Sequence, residues 1–537
     1  MNTKLRQSDL PAAVPVQDLF GDMSSTDMIA STHTQELVIA LCGPMGSPLH
    51  EVASKLELML KTTFGYDCSI LRLSDYIQDH AKRAGRPLST KPAPRRNDLI
   101  SLGDEMRGVY GASVLAELAV NEIRLGRELH HKDKATGQFA PRRMCHIIDS
   151  IKNQQELELL RTVYREVLYV VGVFSPLPNR EEALRNQGLD NGDIAKLMDR
   201  DSGEELAAGQ TVDETFPQCD FFLRMDANTD TQLRGRVERF LHLILGTQVI
   251  TPTRAETAMY AAASAAGNSA CLSRQVGAAV TDEDGEVLAI GWNDVPRPFG
   301  DLYVTDLASD PTGDKDKRCW NYGGKCHNDE EKSILAAHVI EALAPYIHEN
   351  KRADAAQAVS KNKKLRGLIE FSRAIHAEMH AILTALRQKG DRVRGGKIFV
   401  TTYPCHSCAR HIVAAGIKEV YFIEPYKKSL ATKLHGDAMT ESEQTSDKVR
   451  LIPYDGVAPT RYLSLFKMKP NSRKKDGRVV RIAPDIATPK LEKSLEALPA
   501  LEGLVIESLR RRSLIETHQP LAPLHAVEHE APGTDPV

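Results

Sequence analysis

Three stretches of the sequence carry side chains that could do chemistry together: "HAEMHAIL" at 376–383, "PCHSC" at 404–408 and "RCWNYGGKCHNDEE" at 318–331. A neutral imidazole from His376 and thiolates from Cys405 and Cys408 are three ligands of the kind a catalytic zinc takes, with the fourth position left for water. Zinc lowers the pKa of that water toward neutrality. Glu378 lies two residues past His376, close enough to reach the water without ligating. It can take the proton and hand it to a leaving amine.

Alone, an H-x-E is a weak signal, and a lone C-x-x-C is also a redox pair or half of a structural zinc knuckle. Both motifs occur here, 29 residues apart from His376 to Cys405. H-x-E followed by P-C-x-x-C is the arrangement used by zinc-dependent nucleobase deaminases. His380 falls one turn after His376, but a zinc metalloprotease needs its glutamate directly after the first histidine, so His380 reads as a pocket or structural residue. In the third stretch Cys319, Cys326 and His327 are candidate ligands for a second, structural zinc. Free polar loop residues are the commoner explanation, and no fourth ligand is evident.

These residues need a scaffold. "TPTRAETAMYAAASAAGNSACLSRQ" predicts a small-residue helix, and "VGAAVTDEDGEVLAIGWN" two strands with a turn at Asp282 to Gly285. A polar insertion at 296–372 precedes the helix of "HAEMHAILTAL". Then "KIFVTTY" is a strand leading into the helix of "PCHSCARHIVAAG", and "KEVYFIEPY" is another strand. Helix, hairpin, helix, strand, helix, strand makes a compact α/β/α domain over 250–469. The pattern places His376 and Cys405 at helix starts, with Pro404 suited to one.

Upstream, "QELVIALCGPMGSPLHEVASKLELML" reads as strand, glycine turn and helix, the opening of a nucleotide-binding α/β unit. A phosphate loop of the G-x-x-x-x-G-K-[ST] kind cradles phosphates with its amides and neutralises charge with its lysine. Gly43, Gly46 and Ser47 are the candidate nucleotide-binding residues here, but no lysine follows, which argues against phosphoryl transfer. "MCHIIDSI", with Asp149 near its end, "REVLYVVGVFSP" and "CDFFLRMD" continue an alternation that predicts a P-loop-like parallel α/β domain over 36–249. Residues 1–35 read as a flexible arm and 470–537 as a partly ordered appendage. "KRAGRPLSTKPAPRR", 82–96, has six basic residues and no acidic one. It reads as a solvated loop, a lid over a triphosphate or an RNA contact. A second basic run, Arg473 to Arg481, is a weaker candidate of the same kind.

Residues 250–469 resemble the deoxycytidylate deaminase branch of the zinc-dependent cytidine deaminase superfamily through "CLSRQVGAAVTDEDGEVLAIGWN", "HAEMHAIL" and "TTYPCHSCARHIVAAGIKEVYF". The resemblance implies one catalytic zinc on His376, Cys405 and Cys408, proton transfer by Glu378, a sugar contact from Asn293 and a pyrimidine contact from the backbone of Ala377. That family often has asparagine where this chain has His380. Over 36–469, a kinase-like domain joined to such a deaminase resembles the bacterial antiviral deoxycytidylate deaminases. This implies conversion of free dCTP or dCMP to deoxyuridine nucleotides in anti-phage defence, an inhibitory small RNA in some members, and a homo-oligomer such as a hexamer.

Two other readings compete: a housekeeping dCMP deaminase, and a nucleic-acid-binding regulator with an inactive deaminase fold. The 537 residues hold 69 basic and 72 acidic side chains, a net charge of -3, which argues against a mainly electrostatic nucleic-acid binder. No signal peptide is read at the start, and no window has the roughly 18 uninterrupted apolar residues of a membrane helix. A cytoplasmic protein is therefore expected, with its nine cysteines reduced.

Overall fold

The computed structural model describes residues 32–131, 139, 141–201, 211–225, 230–425, 429–468 and 472–515, apart from 492, 494 and 496. The expected N-terminal arm therefore lies almost wholly outside the described residues, as does the end of the expected appendage. Strand β1 (Leu37–Cys42) is apolar and buried at every position, as a central strand covered on both faces must be. Its alternate side chains enter two cores. Leu37, Ile39 and Leu41 join Leu49, Val52 and Leu56 of the helix Leu49–Thr63, while Val38, Ala40 and Cys42 join Val120 and Leu160 on the other face. Strands β2 (Asp67–Arg72), β3 (Met144–Ile151), β4 (Leu168–Phe174) and β5 (Phe221–Arg224) complete a parallel sheet in the order β5-β4-β1-β3-β2.

The second sheet has β6 (Gly277–Thr281) and β7 (Val287–Trp292) as an antiparallel hairpin beside β8 (Lys397–Thr402), with β9 (Glu419–Glu424), β10 (Met439–Thr440) and β11 (Val449–Pro453) beyond. Here β6 runs antiparallel to β8, while β8 and β9 are parallel. The helix Ala377–Val393 crosses one face at very short range. A Cβ on Gly291 of β7 would stand 2.6 Å from the Ala377 carbonyl oxygen and 2.4 Å from the Ala381 nitrogen. Only glycine lets the strand and this helix meet so closely. The insertion at 296–372 is helical in part, with Cys326 as N-cap of the helix His327–Leu343 and a shorter helix Arg352–Ser360 after it.

Residues after the second sheet return to the first. Strand β12 (Gly456–Val457) pairs antiparallel with β5 as the sixth strand of the N-terminal sheet. Within the expected appendage, segment 484–511 packs on the N-terminal unit. The helix Ala497–Arg511 buries Leu498, Val505 and Leu509, and Glu502 is fully buried beside Arg127, which also holds Glu36 at 2.6 Å. The apolar spacing of "LEGLVIESL" shows one face of this helix, but nothing local identifies the remote helix it covers.

Candidate active site

His376 is the N-cap of the helix Ala377–Val393, and Cys405 the N-cap of the helix His406–Ala414. Two helix starts thus face each other, which favours the anionic form of thiols placed there. The His376 Nδ1 lies 3.4 Å from the Cys405 Sγ and 3.2 Å from the Cys408 Sγ, and the Cys408 N–H donates to the Cys405 Sγ at 3.4 Å. All three donor atoms sit within 4.8 Å of one another. Zinc bonds of about 2.0–2.3 Å at tetrahedral angles place N and S ligands about 3.5 Å apart, so this donor set fits the ion in kind and spacing.

The protonation preferences agree. The Cys405 thiol is pulled down to about 4 by its hydrogen bond with Cys408, against the opposing effect of burial, and with help from His376. His376 is pushed up to about 9 by its bond to Cys405, and Cys408 is pushed well up by its bond to Cys405 and by burial. The thiolate form is thus favoured at Cys405, and a bound cation would displace the protons the cluster retains. Glu378 is 5% exposed, and burial raises its carboxyl above the ordinary carboxylate value. A carboxyl displaced in that direction is suited to accept and return a proton near neutral pH.

A cavity of about 190 Å³ opens over this cluster, lined by His376, Ala377, Glu378 and Cys405. Asn293 is on its wall, with both polar ends already engaged: its Oδ1 accepts from the Val276 N–H at 2.7 Å, and its Nδ2 donates to the Arg274 carbonyl at 2.8 Å. In this structure it fastens the 274–276 loop. His380 faces elsewhere, accepting from the Trp292 N–H at 3.2 Å with its ring edge-on to that indole. This is the structural role allowed for it by its spacing.

Sequence reasoning did not single out four wall residues. Arg274 is paired with Glu424, and the Tyr403 hydroxyl donates to Glu441 at 2.8 Å. Asn328 and Ile369 come from the insertion, which contributes one side of the pocket. Arg274 and Tyr403 belong to quoted blocks without a local mark of their function, and Asn328 and Ile369 are brought in by tertiary folding.

Cys319, Cys326 and His327 gather with Cys271 around a small cavity of about 20 Å³. Cys271 is the fourth candidate that the sequence did not reveal, because 48 residues separate it from Cys319. The His327 Nε2 is buried without a hydrogen-bond partner. Among the described residues, however, only His376, Cys405 and Cys408 form a group of three or more with all donors within 4.8 Å.

In the N-terminal unit, Gly43, Gly46 and Ser47 lie in the turn between β1 and the helix Leu49–Thr63. Gly46 has φ of +85°, and a Cβ on Gly43 would stand 2.3 Å from the Val173 carbonyl oxygen, so both positions require glycine. Of the three, Gly46 and Ser47 line a cavity of about 420 Å³; Gly43 instead packs on β4. Of the 82–96 basic run, only Arg96 lines that cavity. Arg86 pairs with Glu105 at 2.6 Å and Arg95 donates to Gln78 at 2.7 Å.

Residues 252–424 match the family described as the cytidine and deoxycytidylate deaminase zinc-binding region. The chain carries a deaminase domain of this kind. Deoxycytidylate deaminase of Enterobacteria phage T4 is 28% identical over 182 residues, which cover 33% of this chain and 80% of that protein. ComE operon protein 2 of Bacillus subtilis is 50% identical over 56 residues, 10% of this chain and 29% of its own length. Among solved structures, dCMP deaminase from the cyanophage S-TIM5, in complex with dCMP and dUMP, is 19% identical and covers 38% of this chain and 99% of its own, with a TM-score of 0.22. Shikimate kinase from Acinetobacter baumannii is 15% identical, covers 40% of this chain and 96% of its own, and has a TM-score of 0.23. Among the described residues, no helix of the deaminase domain or the rest is long and apolar enough to cross a membrane.

Proposed function

We propose that the protein hydrolyses the C4 amine of a free deoxycytidine nucleotide, dCMP or dCTP, giving the deoxyuridine nucleotide and ammonia. The observation that carries this reading is buried Glu378 beside the His376–Cys405–Cys408 cluster, at the floor of one cavity. His376, Cys405 and Cys408 would hold zinc, which when bound acidifies a water molecule. Glu378 accepts the proton released as the water oxygen bonds to C4. It passes that proton to ring nitrogen N3, and a second proton transfer lets the C4–N bond break as ammonia departs. Ala377, fully buried at the first position of its helix, offers backbone to the pyrimidine edge, and Asn293 lies where the sugar would pass. The cavity suits a free nucleotide because no base has to be flipped from a duplex.

The resemblance of residues 36–469 to antiviral deoxycytidylate deaminases extends this reading to an enzyme that drains the deoxycytidine pool, held in check by a small RNA and assembled as a homo-oligomer in the cytoplasm. We also read Cys271, Cys319, Cys326 and His327 as ligands of a second, structural zinc. Their convergence on one ion-sized cavity and the unpartnered His327 Nε2 support it. Closing that site requires the donors to draw nearer to one another. The activity is tested by offering the purified chain dCMP, dCTP, cytidine and single-stranded DNA and following deaminated product. A free deoxynucleotide should be converted, while conversion of DNA alone would overturn the reading.

A further inference from the structure

The cavity beneath the β1 turn is a second site, independent of the deaminase reading. The 15-residue helix Leu49–Thr63 points its N-terminus into it, Pro48 is its N-cap, and no side chain caps it. The Leu49 N–H is taken by the Ser47 carbonyl at 2.9 Å, and the positive end of the helix, with the amides of its first turn, attracts phosphate. Arg96 reaches the same cavity with its Nη1 buried and unpartnered. Asp149, 3% exposed at the end of β3, has Oδ2 bonded to the His50 Nδ1 and Oδ1 without a partner, and the Ser47 hydroxyl is also unpartnered.

A phosphate loop ordinarily places a lysine on the phosphates and uses a hydroxyl and a strand-end aspartate to hold a divalent cation. Leu49 and His50 open the helix here, and His50 lies directly on Asp149. Its hydrogen bond with Asp149 raises its pKa, which favours an imidazolium beside that carboxylate. Asp230, at the start of the helix Asp230–Leu245, is paired with Lys55, and the wall also holds Lys152, which donates to the Gly43 carbonyl at 2.9 Å, and the exposed Glu51. With Asp149 and Asp230 matched, Arg96 and Lys152 outnumber Glu51, and together with the helix end they leave the cavity suited to an anion. The open Asp149 Oδ1 requires a donor, which a sugar hydroxyl or base amine supplies and bare phosphate does not. Met45, Leu184 and Leu233 provide apolar wall for a ring, and the volume of about 420 Å³ is of small-ligand size.

We propose that this cavity binds a nucleotide without a divalent cation, its phosphates on the helix start and Arg96, with His50 standing where the metal charge would otherwise be needed. No phosphoryl transfer follows, because neither the phosphate lysine nor the ion is supplied.

The test is calorimetric titration of the full chain with ATP, with and without added magnesium, using Arg96→Ala and the cavity-filling Leu184→Trp as variants and inorganic tripolyphosphate as a second probe. Expected are submillimolar ATP binding that changes less than about threefold with magnesium, and at least tenfold weaker binding by Arg96→Ala. Tripolyphosphate should bind at least tenfold more weakly than ATP. Leu184→Trp should abolish binding while keeping the far-ultraviolet spectrum. Should that variant not fold, Arg96→Ala decides by itself, since it removes only one partly exposed side chain. The proposal is overturned by no ATP binding to the wild type, by binding that needs magnesium, by equal binding of ATP and tripolyphosphate, or by wild-type affinity in Arg96→Ala.

Discussion

Glu256 and Arg239 join the two units of the chain through a paired contact, with carboxylate oxygens 2.7 and 2.9 Å from the guanidinium nitrogens and Glu256 1% exposed. The same carboxylate closes the capping box with Thr253 and accepts the Val457 N–H of β12 at 2.9 Å. One side chain thus fixes the first helix of the deaminase domain, the last helix before it and the strand that returns to the N-terminal sheet. Glu256→Ala should lower unfolding stability by about 3 kcal/mol, because it strands a guanidinium and two backbone donors. Urea denaturation checks this; a loss under about 0.5 kcal/mol would contradict the role.

Acid should loosen the N-terminal unit. Glu36 is held down to about 2: burial opposes ionisation, but the hydrogen bond and charge of Arg127, with Arg142, prevail. His146 is pushed down to about 3, chiefly by burial. Both groups bind protons more readily when unfolded, so their contributions are complete above the unfolded values and decline as pH falls. For His146 the decline starts near the ordinary histidine value of 6.5 and runs to about 3; for Glu36 it runs from the ordinary 4.5 to about 2. Each contributes at most about 1.4 kcal/mol per pH unit in its window. Melting temperature measured from pH 7 to pH 4 should fall, and His146→Gln should flatten the upper part of that fall.

Gly291→Ala should damage catalysis at a distance. Its Cβ would strike the backbone at Ala377 and Ala381, displacing the helix that begins at His376 and carries Glu378. Overpacking costs about 1–3 kcal/mol, and a displacement near 1 Å reduces turnover about a hundredfold. Deamination rates compared with those of Gly285→Ala, a half-buried turn position at φ +87° in the same hairpin, separate the helix effect from general loss of stability.

Zinc content tests the second cluster. Two zinc ions per chain are expected in the wild type and one in each of Cys319→Ser and Cys405→Ala, the first keeping the catalytic ion and the second the structural one. Elemental analysis of the purified proteins gives the ratio directly. A wild-type ratio of one would remove the second site and leave the catalytic one.

Local pattern made part of this molecule legible. The hairpin around Asp282 to Gly285, the strand of "KIFVTTY" and the helix starts at His376 and Cys405 all depend on neighbours within a few residues, where hydrophobic period and capping act. The return of Gly456–Val457 to β5 depends on partners more than 200 residues away. The same is true of Glu502 beside Arg127, and the pocket wall supplied by Asn328 meets His376 from 48 residues away. Asn293 shows a subtler limit. The family resemblance implies a sugar contact for it, and the folded loop shows that its amide also holds the backbone at Val276 and Arg274.

The most direct measurement is product formation from dCMP and dCTP by wild type and Glu378→Gln, with zinc content determined on the same samples. The account predicts deoxyuridine nucleotide from at least one substrate, a fall of about 10² to 10⁴ in the variant, and equal zinc in both. Equal turnover in both proteins, or a variant that loses its zinc together with its activity, would contradict the role of Glu378 as proton carrier beside the metal.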